Sequence, residues 1–125
     1  ESYGAQTLGD IEVLCREAAG DIAITFKQSN VEGELVDFIQ AAGREADAII
    51  INPAAYTHTS VALYDAIKAV DIPTIEIHLS QPAARESFRR RSYVAEAATG
   101  TISGFGANSY LLGLQAAIKL VMASR

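Results

Sequence analysis

At 125 residues the chain has the length of one domain and enough material to bury a single core. Half of the residues are hydrophobic and a fifth are charged, with no apolar run long enough to cross a membrane. The net charge of −5 argues against a general affinity for nucleic acid, and the single cysteine, Cys15, excludes an internal disulfide and a cysteine-built zinc site while fitting a reducing cytoplasm.

From Thr7 to Ala19, Leu8, Ile11, Leu14, Cys15 and Ala18 fall at helical spacing, and Thr7 with Asp10 forms a relaxed capping box, so this span is expected to be a helix. Ile22, Ile24 and Phe26 alternate with Ala23, Thr25 and Lys27, which predicts a strand near a sheet edge. After the polar break Gln28-Ser29-Asn30, the span Glu32 to Ala46 gathers Leu35, Val36, Phe38, Ile39 and Ala42 on one broad face, with acids in its first turn, as a second helix would. Ala48 to Ile51 is a continuous apolar run of the kind found in a central parallel strand. Leu63, Ala66, Ile67 and Val70 mark a third helix that Pro73 keeps from continuing. Thr74 to Leu79 reads as a strand, Ala98 to Ser103 as a short strand broken by Gly100, and Leu111, Leu114, Ile118 and Val121 as a last helix.

Helix and strand alternate throughout, so the expected architecture is a single α/β domain over residues 1–125, a doubly wound parallel sheet with helices on both faces. Such a sheet normally opens on the strand that becomes its centre, whereas this sequence opens on a turn and a helix. Four strands without that centre would leave two apolar inner edges unpaired, so the pattern leads us to expect a preceding segment, carrying the first central strand, that the sequence lacks.

Ligands of such sheets bind beyond the carboxyl ends of the strands. That rule selects Asn52 to Ser60, His78-Leu79-Ser80 and Gly104-Phe105-Gly106, and both histidines fall within it. Alternation along Ile75 to Ser80 sends Glu76, His78 and Ser80 to one face. A carboxylate two residues from an imidazole can fix its tautomer and hold it as a proton donor, although the same spacing fits a strand with one wet face. Asn52 has groups suited to hydroxyls, or it closes a turn; Thr57 or Thr59 caps the next helix with His58 in its first turn, beside a helix-terminal anion site. Arg85 to Arg91, R-E-S-F-R-R-R, reads as a solvated helix face or as the source of a guanidinium for an anionic or hydroxyl-rich ligand. Ser109 stands where a dinucleotide fingerprint would want its third glycine, and no P-loop lysine motif occurs.

Taken together, N-P-A-A-Y-T-H-T-S at 52–60, I-E-I-H-L-S at 75–80, A-R-E-S-F-R at 84–89, G-F-G at 104–106, Y-G at 3–4 and Q-S-N-V-E-G-E-L at 28–35 resemble type II 3-dehydroquinate dehydratase, over essentially the whole chain. The resemblance implies a flavodoxin-like fold and the elimination of water from 3-dehydroquinate to give 3-dehydroshikimate, with no metal, no cofactor and no imine. By motif, Tyr3 matches the base that removes a proton next to the ketone, its phenol acidified by an arginine on the loop just before it, outside this sequence. His78 matches the general acid, and Glu76 the group that orients it. Asn52, His58 and Arg89 match residues that hold substrate hydroxyls, and the Leu79 and Ser80 amides match the site of its carboxylate. Asp65 matches an aspartate that reaches a neighbouring subunit's site in a homododecamer built from trimers. The same resemblance implies a small-molecule substrate, no nucleic-acid or membrane partner, a cytoplasmic setting, and a place in the shikimate or quinate pathway. The chain departs from the family's pattern at Ala54-Ala55-Tyr56, where G-A-L is frequent, at Tyr64, where an arginine is, and at Gln81-Pro82-Ala83. Two other classes fit parts of the pattern: a non-catalytic flavodoxin-like module that binds small anions, and an interaction protein docking through its arginine-rich stretch.

Overall fold

The computed structural model describes residues 2–3 and 6–124, with the side chains of residues 2, 3 and 83 excepted. Ser2–Tyr3 (β1) and Gln6–Thr7 (β2) form a short antiparallel ladder with Tyr3 opposite Gln6. Helix α1 (Leu8–Ala19) follows directly, and its start is the expected capping box: the Thr7 hydroxyl accepts from the Asp10 amide at 3.1 Å, and the Asp10 carboxylate accepts from the Thr7 amide at 3.0 Å. The other long helices are α2 (Glu32–Glu45), α3 (Val61–Ala69) and α5 (Asn108–Ala123), each carrying the apolar face its periodicity predicted. A five-residue helix, α4 (Tyr93–Ala97), which the periodicity did not announce, is capped by the Ser92 hydroxyl.

Among the described residues the main sheet has three parallel strands in the order β3 (Ile49–Ile51), β4 (Thr74–His78) and β5 (Gly100–Ser103). Gly100 begins β5 rather than breaking it. Ile51 lies opposite Glu76, and His78 opposite Ser103. Alternation divides the core between two faces. Ile51 packs with Ile39 of α2, Leu63, Ala66 and Ile67 of α3 and Val94 of α4. Ile75 and Ile77 pack on the opposite face against Ala117 of α5, with Ile50 beside them, and α5 in turn covers Ile11 and Cys15 of α1 through Leu114. Helices on both faces of a parallel sheet are the α/β arrangement that the alternation of elements implied, and it is flavodoxin-like, as the resemblance implied.

One expected strand is not there. Ile22 to Lys27 forms no ladder: among the described residues its only backbone–backbone bond outside the stretch runs from the Ile22 amide to the Ala19 carbonyl at 3.2 Å, and the Ile24 carbonyl accepts from the Arg16 guanidinium at 2.9 Å. A strand exists only with a neighbour to pair with, and the whole stretch instead borders a cleft of about 1010 Å³ lined also by Phe38, Ile50 and Ile118, with Ile24 and Phe26 half-buried and Ile22 exposed. The alternation therefore marks Ile24 and Phe26 as the more buried side chains without supplying a partner for the backbone.

Candidate active site

Because Ile75 and Ile77 are drawn into the core beneath α5, Glu76 and His78 point to the other face of β4, as the period of two predicts. Glu76 is 1% exposed, a position a carboxylate occupies only when its lone pairs are satisfied. Three groups converge on a single oxygen, Oε2: the His78 Nε2 at 2.5 Å, the Ser92 hydroxyl at 3.0 Å, and the Thr57 hydroxyl. Burial on its own would raise the Glu76 carboxyl. The hydrogen bond from His78, the bond from Thr57, the charge of His78 and the bond from Ser92 together outweigh that and hold it below the usual carboxylate range. The result is a buried anion paired to a partly exposed imidazole at the carboxyl end of the sheet's middle strand.

The segment after β3 forms the adjoining wall. The Asn52 side-chain carbonyl accepts from the Ala54 amide at 3.1 Å, closing a turn, while its amide nitrogen donates to the Tyr110 hydroxyl of α5 at 3.4 Å. Ala54 sits at φ 50, in the left-handed region that favours glycine. A 3₁₀ turn, Ala54–His58, follows, and α3 begins only at Val61 with Ser60 as its cap, the Ser60 hydroxyl accepting from the Leu63 amide at 2.9 Å. The expected cap at Thr57 or Thr59 is thus corrected: Thr57 is fully buried and spends its hydroxyl on Glu76, and His58 precedes the helix instead of lying in its first turn. The His58 Nδ1 is held by the Arg91 carbonyl at 2.7 Å. A carbonyl only accepts, so Nδ1 carries a proton, and in the neutral form of the ring Nε2 is left as an acceptor.

The arginine-rich stretch is not a helix face. It runs as two 3₁₀ turns, Pro82–Ala84 and Ser87–Arg90, in which Arg89 pairs with Glu86 at 2.6 Å and lies over the Phe88 ring, while Arg91 lies 4.5 Å over the Tyr93 ring. Leu79 and Ser80 follow β4 in a loop tied to the end of β5: the Gly104 amide donates to the His78 carbonyl at 3.2 Å, and the Gly106 amide to that of Leu79 at 2.8 Å. Gly104 and Gly106 both have positive φ, which lets this loop turn back on itself. Asp65 is exposed on α3 and makes no hydrogen bond with the other groups named here. Tyr3 is placed by its backbone alone; its side chain, the expected base, lies outside the described residues. The structure therefore brings Glu76 and His78 together directly, and ties the turn bearing His58 to the start of α4. Two members of the cluster, Thr57 and Ser92, carry no sequence signal of such a role, being 35 positions apart and joined only by the fold.

A parallel sheet covered on both faces, with a carboxylate–imidazole pair at the carboxyl end of its middle strand, defines a flavodoxin-like α/β protein with a strand-end site. The model of the family Dehydroquinase class II matches residues 1–118, and the chain belongs to that family. A 3-dehydroquinate dehydratase of Hyphomonas neptunium is 57% identical over 120 residues, covering 96% of this chain and 82% of that protein. One of Phenylobacterium zucineum is 57% identical over 122 residues, covering 96% and 84%. Among solved structures, a type II dehydroquinase from Propionibacterium acnes aligns with a TM-score of 0.87 at 34% identity, over 96% of this chain and 82% of that one.

Proposed function

We propose that the chain eliminates water from 3-dehydroquinate to give 3-dehydroshikimate, with Tyr3 as base and His78 as general acid. The family and the names of its relatives support the reaction; the observation that carries the assignment of the acid is the His78–Glu76 contact of 2.5 Å at the end of β4. Glu76 takes Nε2, so the proton given to the leaving hydroxyl comes from Nδ1. Tyr3 removes the proton next to the ketone, the enolate expels the C1 hydroxyl in an anti elimination, and His78 turns that hydroxyl into water. His58 accepts a hydrogen bond from a substrate hydroxyl through Nε2. Asn52 contributes the remaining capacity of its side-chain amide, and Arg89 exchanges its exposed partner Glu86 for a second hydroxyl. The Leu79 and Ser80 amides receive the carboxylate, and Asp65, exposed on α3, reaches a neighbouring subunit in a homododecamer of trimers working in the cytoplasm.

The test is the rise of enone absorbance when the full-length protein meets 3-dehydroquinate, run beside Tyr3→Phe and after borohydride treatment. Turnover that survives borohydride and collapses in Tyr3→Phe is the expected result. A folded protein without turnover would overturn the reaction, and a fully active Tyr3→Phe would overturn the base.

A further inference from the structure

The polar contacts of Glu76 contain more than an acid and its partner. The Thr57 hydroxyl touches Glu76 Oε2 and also lies 2.5 Å from the Ser92 hydroxyl, which itself stands 3.0 Å from Oε2. Two hydroxyls own two protons, yet three contacts link these three groups. The Ser92–Glu76 contact is the longest, so the order that satisfies the short ones is Ser92 donating to Thr57 and Thr57 donating to Glu76. Ser92 then keeps its lone pairs for the Ala95 amide, from which it accepts at 2.9 Å as the cap of α4. Neither hydroxyl is needed by α3, whose cap is Ser60. Thr57 is 0% exposed, so its hydroxyl has no water to turn to.

We propose that Thr57 and Ser92 are positioning residues for the proton transfer: their hydroxyls form a relay, Ser92 to Thr57 to Glu76, that pins the one carboxylate oxygen with which His78 pairs and so aims the His78 Nδ1 at the leaving group. The proposal rests on the dehydratase reading for its kinetic consequence and on geometry alone for its structural one. A carboxylate held by His78 alone can swing about its side-chain torsions; one held also by Thr57, itself fixed by Ser92 of a second segment, cannot. The relay ties the dyad to the His58 turn as well, because Thr57 and His58 are adjacent and their partners, Ser92 and Arg91, are adjacent too.

Thr57→Val keeps the shape and removes the hydroxyl, and Thr57→Ser restores it. In Thr57→Val, kcat for 3-dehydroquinate should fall roughly tenfold or more with KM changed less than about twofold, since neither hydroxyl is placed among the groups that hold the substrate. The acid limb of the kcat–pH profile should move to higher pH, and Thr57→Ser should recover both. Independently of turnover, the Glu76 side-chain carboxyl carbon, followed by NMR in protein carrying ¹³C-labelled glutamate, should titrate at higher pH in Thr57→Val than in the parent or in Thr57→Ser. If Thr57→Val does not fold, Ser92→Ala with Ser92→Thr as its rescue is judged by the same readouts; if neither folds, an unprotected, fast-exchanging Thr57 hydroxyl proton in the parent counts against the relay and a slowly exchanging one for it. A folded Thr57→Val with parental kcat and titration overturns the proposal, as does a rise confined to KM or a Thr57→Ser as impaired as Thr57→Val. A parent without turnover would sink the dehydratase reading, while the carboxyl titration would still decide the relay.

Discussion

A single methyl group added at Gly113 should loosen the core and disturb the site from behind. Gly113 lies buried in α5 where the helix crosses the sheet, and a Cβ built there would stand 3.0 Å from the Ile77 Cγ2 and 3.2 Å from the Ile50 Cγ2. Both neighbours are branched at Cβ and fixed in strands, and Ile77 is 0% exposed, so neither can turn aside cheaply. Overpacking of this kind costs about 1–3 kcal/mol, while replacing a mid-helix glycine by alanine returns about 0.8–1 kcal/mol of helix propensity. The net for Gly113→Ala is a loss of up to about 2 kcal/mol, or a fall in Tm of up to roughly 10 °C for a chain of this size. Gly33→Ala, at a position in α2 where an added Cβ meets nothing within 4 Å, supplies the control and should be neutral or gain up to about 0.5 kcal/mol. Ile77 lies between Glu76 and His78 on β4, so the displacement should also lower kcat although Gly113 touches no polar group of the site. Urea and thermal unfolding of the two variants, with rates on 3-dehydroquinate, check this. A Gly113→Ala protein as stable as Gly33→Ala would refute the reasoning.

Other expectations follow from local features. The Glu76 carboxyl is held below its ordinary value, so under acid the unfolded chain binds the proton first; stability present above the ordinary glutamate value, about 4.3, is lost as pH falls through the lower folded value. Urea midpoints measured across that acid window should therefore fall steeply in the parent and less so in Glu76→Gln, and parallel curves would argue against the paired anion. Ala54→Gly should stabilise by about 0.5–1 kcal/mol, because alanine at φ 50 costs roughly 1–2 kcal/mol and the freedom glycine gains when unfolded offsets only part of that; chemical denaturation reads the difference. Ser60→Ala removes both the cap of α3 and the hydroxyl that donates to Glu32 at 2.5 Å, and should cost about 1–2 kcal/mol in the same assay.

Much of this was legible in the sequence wherever one chain segment determines its own geometry. The 3.6-residue period fixed which faces of α2, α3 and α5 turn inward, the Thr7–Asp10 pair marked the start of α1, and the period of two put Glu76 and His78 on one side of β4. Failures came where the outcome depends on something distant. Ile22 to Lys27 has the alternation of a strand but no ladder, since pairing is a property of two segments. Helix α4 buries only Val94 over five residues, too short for a period to show, and is defined instead by its Ser92 cap. Thr57, Thr59 and Ser60 are all competent caps; Ser60 prevails at α3 because the buried carboxylate claims Thr57. No local rule could have named Ser92 as a neighbour of Glu76.

The double tie between residues 57–58 and 91–92 also bears on how the molecule comes together. His58 reaches Arg91 across 33 positions and Thr57 reaches Ser92 across 35, so neither bond can form until the chain has passed through α3 and β4 and returned. Contacts of such separation close late, after the helices that need only their own residues. A partly folded chain would thus show most of its helical signal while Glu76 still lacked its hydroxyl donors, and recovery of catalysis would trail recovery of circular dichroism during refolding.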